Sequence, residues 1–194
     1  MPRVQALQAA CFPPPFPVDQ LWTEEHLLAQ LKVFPEGQFV AVEGDTVLGS
    51  ASSLVISEEN WQAHADWDAT TGGHTLKAHD PAGTTLYGAD ISVGPDHRCK
   101  GVGRALYGAR FKLVRSMGLV RFGTTCRIPD WLEWMVAHKN SEKTAYVLAV
   151  LKGQARDRTL TPLLKIGLQF KGLVEDHMKD EESGDAAAIL EWTP

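Results

Sequence analysis

Cysteine is scarce: among 194 residues only Cys11, Cys99 and Cys126 occur, an odd number with no C-x-x-C spacing. Such a set suggests neither a disulfide framework nor a zinc cluster. Long apolar runs are also missing. No stretch approaches the roughly 20 apolar residues that span a bilayer, and the N-terminus has no basic segment leading into an apolar run of the kind that directs secretion. The expectation is a soluble, cytoplasmic protein with no membrane partner. Basic charge is in deficit, with 19 Lys and Arg against 24 Asp and Glu and a formal net charge of -5. Bulk attraction to nucleic acid is therefore not expected, although a local basic patch is compatible with this balance. Repeats and low-complexity tracts are lacking too, apart from a short turn at Pro13, Pro14, Pro15 and Pro17.

With 44% apolar residues, the chain can close one sizeable core and is short for two, so a single domain over 1–194 is expected. Val4, Leu7 and Cys11 fall at helical spacing, so the chain opens in a helix that the proline segment ends, with no strand before it. A second helix starts with Thr23 as N-cap and Glu24 and Glu25 in its first turn, with Leu27, Leu28 and Leu31 on the buried side and Pro35 as its stop. Phe39 to Val42 and Val47 to Ile56 are β-rich runs joined through Glu43-Gly44-Asp45-Thr46, which is hairpin chemistry. Residues 57–83 are polar and aperiodic and read as an inserted loop. Thr85 to Val93 is the next strand; period 2 puts Tyr87, Ala89, Ile91 and Val93 on one face and Asp90 and Ser92 on the other.

Val102, Ala105, Leu106, Ala109, Leu113 and Met117 form the apolar stripe of a helix that Gly118 ends. A strand at Val120 to Ile128, helices at Ser141 to Lys152 and Thr161 to Ile166, and strands at Leu168 to Val174 and Ala186 to Trp192 complete the chain. Strand, helix, strand implies at least one parallel pair in an otherwise antiparallel sheet.

The chemistry concentrates in Gly94-Pro95-Asp96-His97-Arg98-Cys99-Lys100-Gly101-Val102-Gly103-Arg104, where two glycines and three cations stand at a helix start. Free N–H groups at a helix N-terminus bind phosphate oxygens, glycine permits close approach, and Arg98, Lys100 and Arg104 can add charge to an anion held by the amides. A dinucleotide fingerprint would need Gly or Ala where Leu106 stands, and a Walker loop would need Gly-Lys-Ser/Thr after its second glycine. A plain glycine-rich turn before an ordinary helix is the bland alternative.

Arg98-x-x-Gly101-x-Gly103, preceded by the strand Ala89-Asp90-Ile91-Ser92-Val93, resembles the acetyl-CoA loop of the GNAT superfamily of N-acetyltransferases. The order of hairpin, helix, strand and the late Lys165-Ile166-Gly167-Leu168 extends the resemblance over nearly the whole chain. It implies an α/β GNAT acyl-CoA N-acyltransferase fold, with a mixed, mostly antiparallel sheet and helices on both faces. It also implies acetyl-CoA as cosubstrate, with the pyrophosphate at Arg98, Cys99, Lys100, Gly101, Val102, Gly103 and Arg104 and the pantetheine arm on main-chain groups of Ile91, Ser92 and Val93. The acetyl acceptor is an amine, on a small molecule or a protein. Phe34-Pro35-Glu36-Gly37-Gln38-Phe39, Tyr87-Gly88-Ala89-Asp90-Ile91-Ser92-Val93 and Arg127-Ile128-Pro129 further resemble a GNAT subgroup often joined to a nitrilase-like carbon-nitrogen hydrolase. No hydrolase follows the last strand, so any such link is expected to be with a separate polypeptide.

The resemblance also implies a strand before the first helix, where this sequence has none: either the start is truncated or the sheet lacks an edge strand. An unpaired Phe39 to Val42 edge could be capped by a partner, a homodimer being one arrangement, or lead to aggregation. The family often has a tyrosine four residues before the late glycine as proton donor to the CoA thiolate; Leu163 stands there, leaving Tyr107, Tyr146 or water. An attacking amine must shed a proton. Asp90 is the first candidate for that base, ahead of His97 and Glu133, against the alternative of a surface carboxylate or a salt bridge. Cys99 is expected to be non-catalytic, since direct transfer in a ternary complex needs no acyl-enzyme. His64, His74 and His79 show no metal-ligand spacing and read as solvated loop residues, so no metal is expected. Trp131 and Trp134 are core residues or, with Trp61 and Trp67, walls of an acceptor cleft. Two rivals to the enzyme are a domain that binds acyl-CoA without turnover and a structural domain that binds no anion.

Overall fold

Proline at the first helical position fixes the start of α1 (Pro2–Cys11), where its missing N–H costs no bond. The computed structural model describes residues 1–14, 16–139 and 142–194. It divides into two units, Met1–Ala63 with Trp67–Phe122 and Thr193–Pro194, and His64–Asp66 with Gly123–Trp192. Pro15 of the proline segment and Ser141, the expected start of a helix, lie outside the described residues.

In the first unit α2 (Glu24–Val33) is capped as the sequence indicates: the Thr23 hydroxyl accepts from the His26 amide at 3.2 Å, and His26 Nδ1 accepts from the Thr23 amide at 3.3 Å. Its inward face differs from expectation. Leu27, Gln30 and Phe34 are buried, while Leu28 and Leu31 are 52% and 38% exposed. Gln30 can face inward because both ends of its amide are satisfied, Nε2 donating to the His74 carbonyl at 2.7 Å and Oε1 accepting from the Ser52 hydroxyl at 3.3 Å.

β1 (Gln38–Glu43) and β2 (Thr46–Ile56) form the expected hairpin, and β3 (Thr85–Val93) pairs antiparallel with β2. Among the described residues β1 pairs with β2 alone. Residues 57–83 are not all loop: they contain α3 (Glu58–Ala63), which buries Trp61, and α4 (Trp67–Thr71). Helices of one or two turns are too short to print a 3.6-residue period on the sequence.

A register shift between Ser52 and Ser53 leaves Ala89 of β3 without a partner, since Ser52 faces Asp90 and Ser53 faces Gly88. This β-bulge overturns the expected faces. Tyr87 opposes Leu54, while Ile91 opposes Ala51, so Tyr87 shares a face with Asp90 and Ser92. Gly88, Ile91 and Val93 share the other, because one extra residue inverts every side chain beyond it.

That second face is covered by α5 (Val102–Met117), whose Val102 and Leu106 pack with Ala51, Ile91 and Val93. The buried stripe of α5 is Val102, Leu106, Arg110 and Val114, with Tyr107 beside it; Ala105 is exposed and Met117 is 41% exposed, contrary to the expected stripe. Gly118 ends the helix at φ +66°.

β4 (Arg121–Arg127) begins in the first unit and continues into the second. The second unit holds α6 (Trp131–Ala137), α7 (Lys143–Leu151), α8 (Leu160–Lys165), β5 (Gln169–Val174) and β6 (Ala187–Trp192). Its strand order is β4-β6-β5, with β5 and β6 antiparallel, and Ile128, Tyr146, Leu160 and Leu190 lie fully inside.

Candidate functional site

The face of β2 and β3 beneath α1 is unusually polar for a buried surface, with Ser50, Ser52, Ser92 and Gln8 all less than a tenth exposed. Asp90 sits among them, half-buried. Ser92 Oγ donates to its Oδ2 at 3.4 Å. Gln8 spends its carbonyl oxygen on the Trp22 amide at 2.9 Å, which leaves its NH2 for the Asp90 carboxylate. Burial pushes the Asp90 carboxyl up to about 6, against the opposing pull of Arg110, Gln8, Ser92 and the Ile91 main chain. A carboxyl held there is ionised at pH 7 yet basic enough to accept a proton.

The bulge is anchored on both sides. Trp67 Nε1 donates to the Ala89 carbonyl at 3.1 Å. Behind it, Arg110 donates through Nη2 to the carbonyls of Ser52, at 2.7 Å, and Asp90, and through Nε to the Ser53 hydroxyl at 3.0 Å.

Val93 joins strand to loop. Its carbonyl accepts from Cys11 Sγ at 3.2 Å and from Arg98 Nε at 3.3 Å, and its side chain meets the place a Cβ on Gly103 would take, at 3.8 Å. After the 3-10 turn Pro95–His97 the chain adopts φ +60° at Cys99 and φ +87° at Gly101. Such left-handed residues turn N–H groups toward one concave side. The N-cap of α5 is Gly101, which supplies no side chain to accept from the helix; the first N–H groups of a helix have no intrahelical acceptor. Arg98, Cys99, Lys100, Gly101 and Arg104 are exposed, Gly103 is half-buried and Val102 is buried. A Cβ on Gly101 would meet nothing within 4 Å, so no side chain crowds the loop at that residue.

The structure therefore brings Asp90, Ile91, Ser92, Val93, Arg98, Val102 and Gly103 to one strand end and its helix. Gln8, Cys11 and Arg110 join them and were not singled out as site residues from the sequence; Trp67, a candidate wall of an acceptor cleft, joins them at the bulge. For Arg110, a cation at i+4 from Leu106 and i−4 from Val114 was the available signal.

Other candidates fare differently. His97 is half-buried in the 3-10 turn, and Glu133 is exposed on α6 of the other unit. Tyr107 is buried against Phe111, Phe122 and Arg110. Tyr146 is buried and donates to Asp157 at 2.8 Å, and burial with that carboxylate raises its pKa. Neither tyrosine stands ready as a proton donor. His74 and His79 are not solvated loop residues: His74 lies tilted against the His26 and Trp67 rings, and His79 accepts the Val55 amide through Nδ1 at 3.1 Å while stacking on Phe34. Trp61 is core, and Trp131 and Trp134 are half-buried, the one beside Lys143 and the other stacked on His138. Among the described residues no group of three or more His, Cys, Asp or Glu is placed to hold a metal, and no helix is long and apolar enough to cross a membrane.

Residues 1–130 match the acetyltransferase (GNAT) family. An uncharacterized N-acetyltransferase, YkwB of Bacillus subtilis (strain 168), is 35% identical over 190 residues, 98% of this chain and 83% of the relative. The probable hydrolase YhcX of the same organism is 32% identical over 194 residues, but this chain spans only 36% of its length. Among solved structures, the GphF GNAT-like decarboxylase in complex with isobutyryl-CoA superposes with a TM-score of 0.78 at 21% identity, covering 99% of this chain and 93% of that one. The likeness is one of fold: α/β, with six strands in a mostly antiparallel mixed arrangement and helices packed on them.

Proposed function

Because this chain belongs to the GNAT acetyltransferase family, we propose that it is an N-acetyltransferase that holds acetyl-CoA at Arg98–Arg104 and along Ile91–Val93 and passes the acetyl group directly to an amine. The observation that carries this reading is the start of α5: helix amides without a side-chain cap, flanked by cations and roofed by no side chain at Gly101. Helix-end amides of this kind favour a pyrophosphate.

In the transfer, the neutral amine attacks the thioester carbonyl, the amine proton passes to Asp90 directly or through water, and the C–S bond breaks to release the CoA thiolate. A thiolate is a fair leaving group, so the lack of a placed tyrosine does not block the step. The acceptor belongs to the class of small-molecule or protein amines. The YhcX match over part of that protein's length is consistent with a unit that works beside a hydrolase.

The test is thermal unfolding with and without acetyl-CoA, with adenosine as the control that lacks the pyrophosphate, followed by thiol detection of CoA released in the presence of candidate amines. Binding to the native state alone stabilises by about 2.7 kcal/mol at a hundredfold excess over Kd. An absent shift overturns the cofactor site.

A second reading is favoured by one observation, the superposition on a GNAT-like decarboxylase over nearly all of both chains. A β-carboxy acyl-CoA seated in the same cradle would lose CO2, leave its electron pair in the thioester enolate and take a proton on carbon. Carbon dioxide evolved from malonyl-CoA without added amine distinguishes it from amine-dependent CoA release.

A further inference from the structure

We propose that Arg110 is a positioning residue for acetyl transfer: from the buried stripe of α5 it clamps the two strands at the β3 bulge and thereby sets the place of Asp90. The inference rests on Asp90 being the base.

Arg110 is 1% exposed, a burial that a guanidinium tolerates only when its donors are occupied. It donates to the carbonyls of Ser52 and Asp90 and to the Ser53 hydroxyl, and its planar cation lies 5.3 Å from the Tyr107 ring centroid and 5.5 Å from that of Phe122. The acceptors are main-chain and hydroxyl oxygens, none of which cancels its charge. An apolar residue would serve plain packing better, because buried charges replaced by well-packed apolar groups often leave stability unchanged or improved. What an apolar residue cannot do is tie the Ser52 and Asp90 carbonyls together across the unpaired Ala89, or set a positive charge behind the Asp90 carboxyl.

The room for the clamp is also provided. A Cβ on Gly88, two residues before Asp90, would lie 2.7 Å from Phe122 Cζ and 3.3 Å from Arg110 Nη1. Asp90 meets Gln8 and Cys11 of α1, Ser92 of its own strand and Arg110 of α5. Among these the attraction of Arg110 is the largest influence opposing burial at Asp90. Cys11, its thiol pushed up by burial, carries no charge near neutrality.

The experiment uses Arg110→Lys and Arg110→Met in the full chain, with the Asp90 carboxyl followed by carbon NMR as pH is varied. In Arg110→Met the Asp90 midpoint rises by about one unit, as loss of a nearby opposite charge requires. Its kcat falls about tenfold at pH 5 and about twofold at pH 7, so the deficit shrinks as pH rises. Arg110→Lys keeps a charge without the planar fork: its midpoint stays near that of the natural protein while kcat still falls. A folded Arg110→Met with an unmoved Asp90 midpoint, or with a deficit equal at every pH, overturns the proposal. Should Arg110→Met not fold, an Arg110→Lys protein with unchanged kcat overturns it alone. Full activity of Asp90→Asn removes the base itself, an outcome separate from whether Arg110 governs the Asp90 titration.

Discussion

The two units bury charge for different ends. In the second, the buried groups Arg127, Asp157 and Asp180 are each closed into a set of partners. Arg127 forks onto Asp180 at 2.5 and 2.6 Å and reaches Glu182, which Arg158 also holds. Asp157 accepts from Tyr146 and from the amides of Asp130, Thr159 and Leu160. His177 Nε2 lies 2.6 Å from the Thr125 hydroxyl, and burial holds its pKa down to about 4, leaving it neutral at pH 7. In the first unit Asp90 is left near 6, beside a loop whose helix has no side-chain cap. Satisfied networks fix a fold, whereas a group poised near neutrality marks chemistry.

The contrast can be sharpened by substitution. The largest effect is expected of Gly103→Glu: a Cβ there meets only Val93 at 3.8 Å, so the fold stays intact, while a carboxylate among the amides should weaken acetyl-CoA at least about a hundredfold, as read by calorimetry or by a vanished thermal shift. Asp90→Asn should lower kcat about a hundredfold with acetyl-CoA affinity unchanged; equal losses in both would place Asp90 in binding instead. Gly88→Ala, which drives a methyl into Phe122 and Arg110, should cost about 1–3 kcal/mol by urea unfolding. Tyr146→Phe should cost about 1 kcal/mol without altering kcat, since its hydroxyl serves Asp157; a fallen kcat would break the contrast between the units.

In the natural protein the net effect on the pH dependence of stability is small. The Asp90 pKa is raised on folding, so the stability it permits is full below the unfolded value near 3.8 and declines as pH rises through about 6. The His177 pKa is lowered on folding, so its contribution is full above 6.5 and is lost as pH falls toward about 4. Opposite slopes between pH 4 and 6 follow, and they offset each other in the natural protein. Unfolding free energies at pH 4.5 and 8 should show Asp90→Asn gaining relative to the natural protein at the higher pH and His177→Gln gaining at the lower.

Much of the first unit was legible in the sequence because its signals are local. The Thr23 cap, the hairpin at Glu43-Gly44-Asp45-Thr46 and the glycines at 101 and 118 each impose a backbone state on their immediate neighbours. What escaped depends on distant partners. The bulge at Ala89 is a mismatch between two strands, so counting alternate residues within one of them put Tyr87 on the wrong face. Arg110 and Gln30 occupy inward positions that a hydrophobic stripe does not reveal, since their burial depends on carbonyls and hydroxyls contributed by other elements. The short helices at 58–63 and 67–71 have too few residues to show a period. Asp90 could be named as a carboxylate on the strand, but its raised pKa comes from burial beneath α1, more than 80 positions away, against the opposing pull of Arg110 and Gln8.

α5 has one further consequence. Gly103 and Arg110 lie seven residues apart on it, about 10 Å along the axis at 1.5 Å per residue, and no proline or glycine pair interrupts the span. The anion cradle and the bulge clamp are thus two ends of one stiff strut. An alanine inserted between Gly103 and Arg110 would leave every residue of both sites present and turn one about 100° relative to the other.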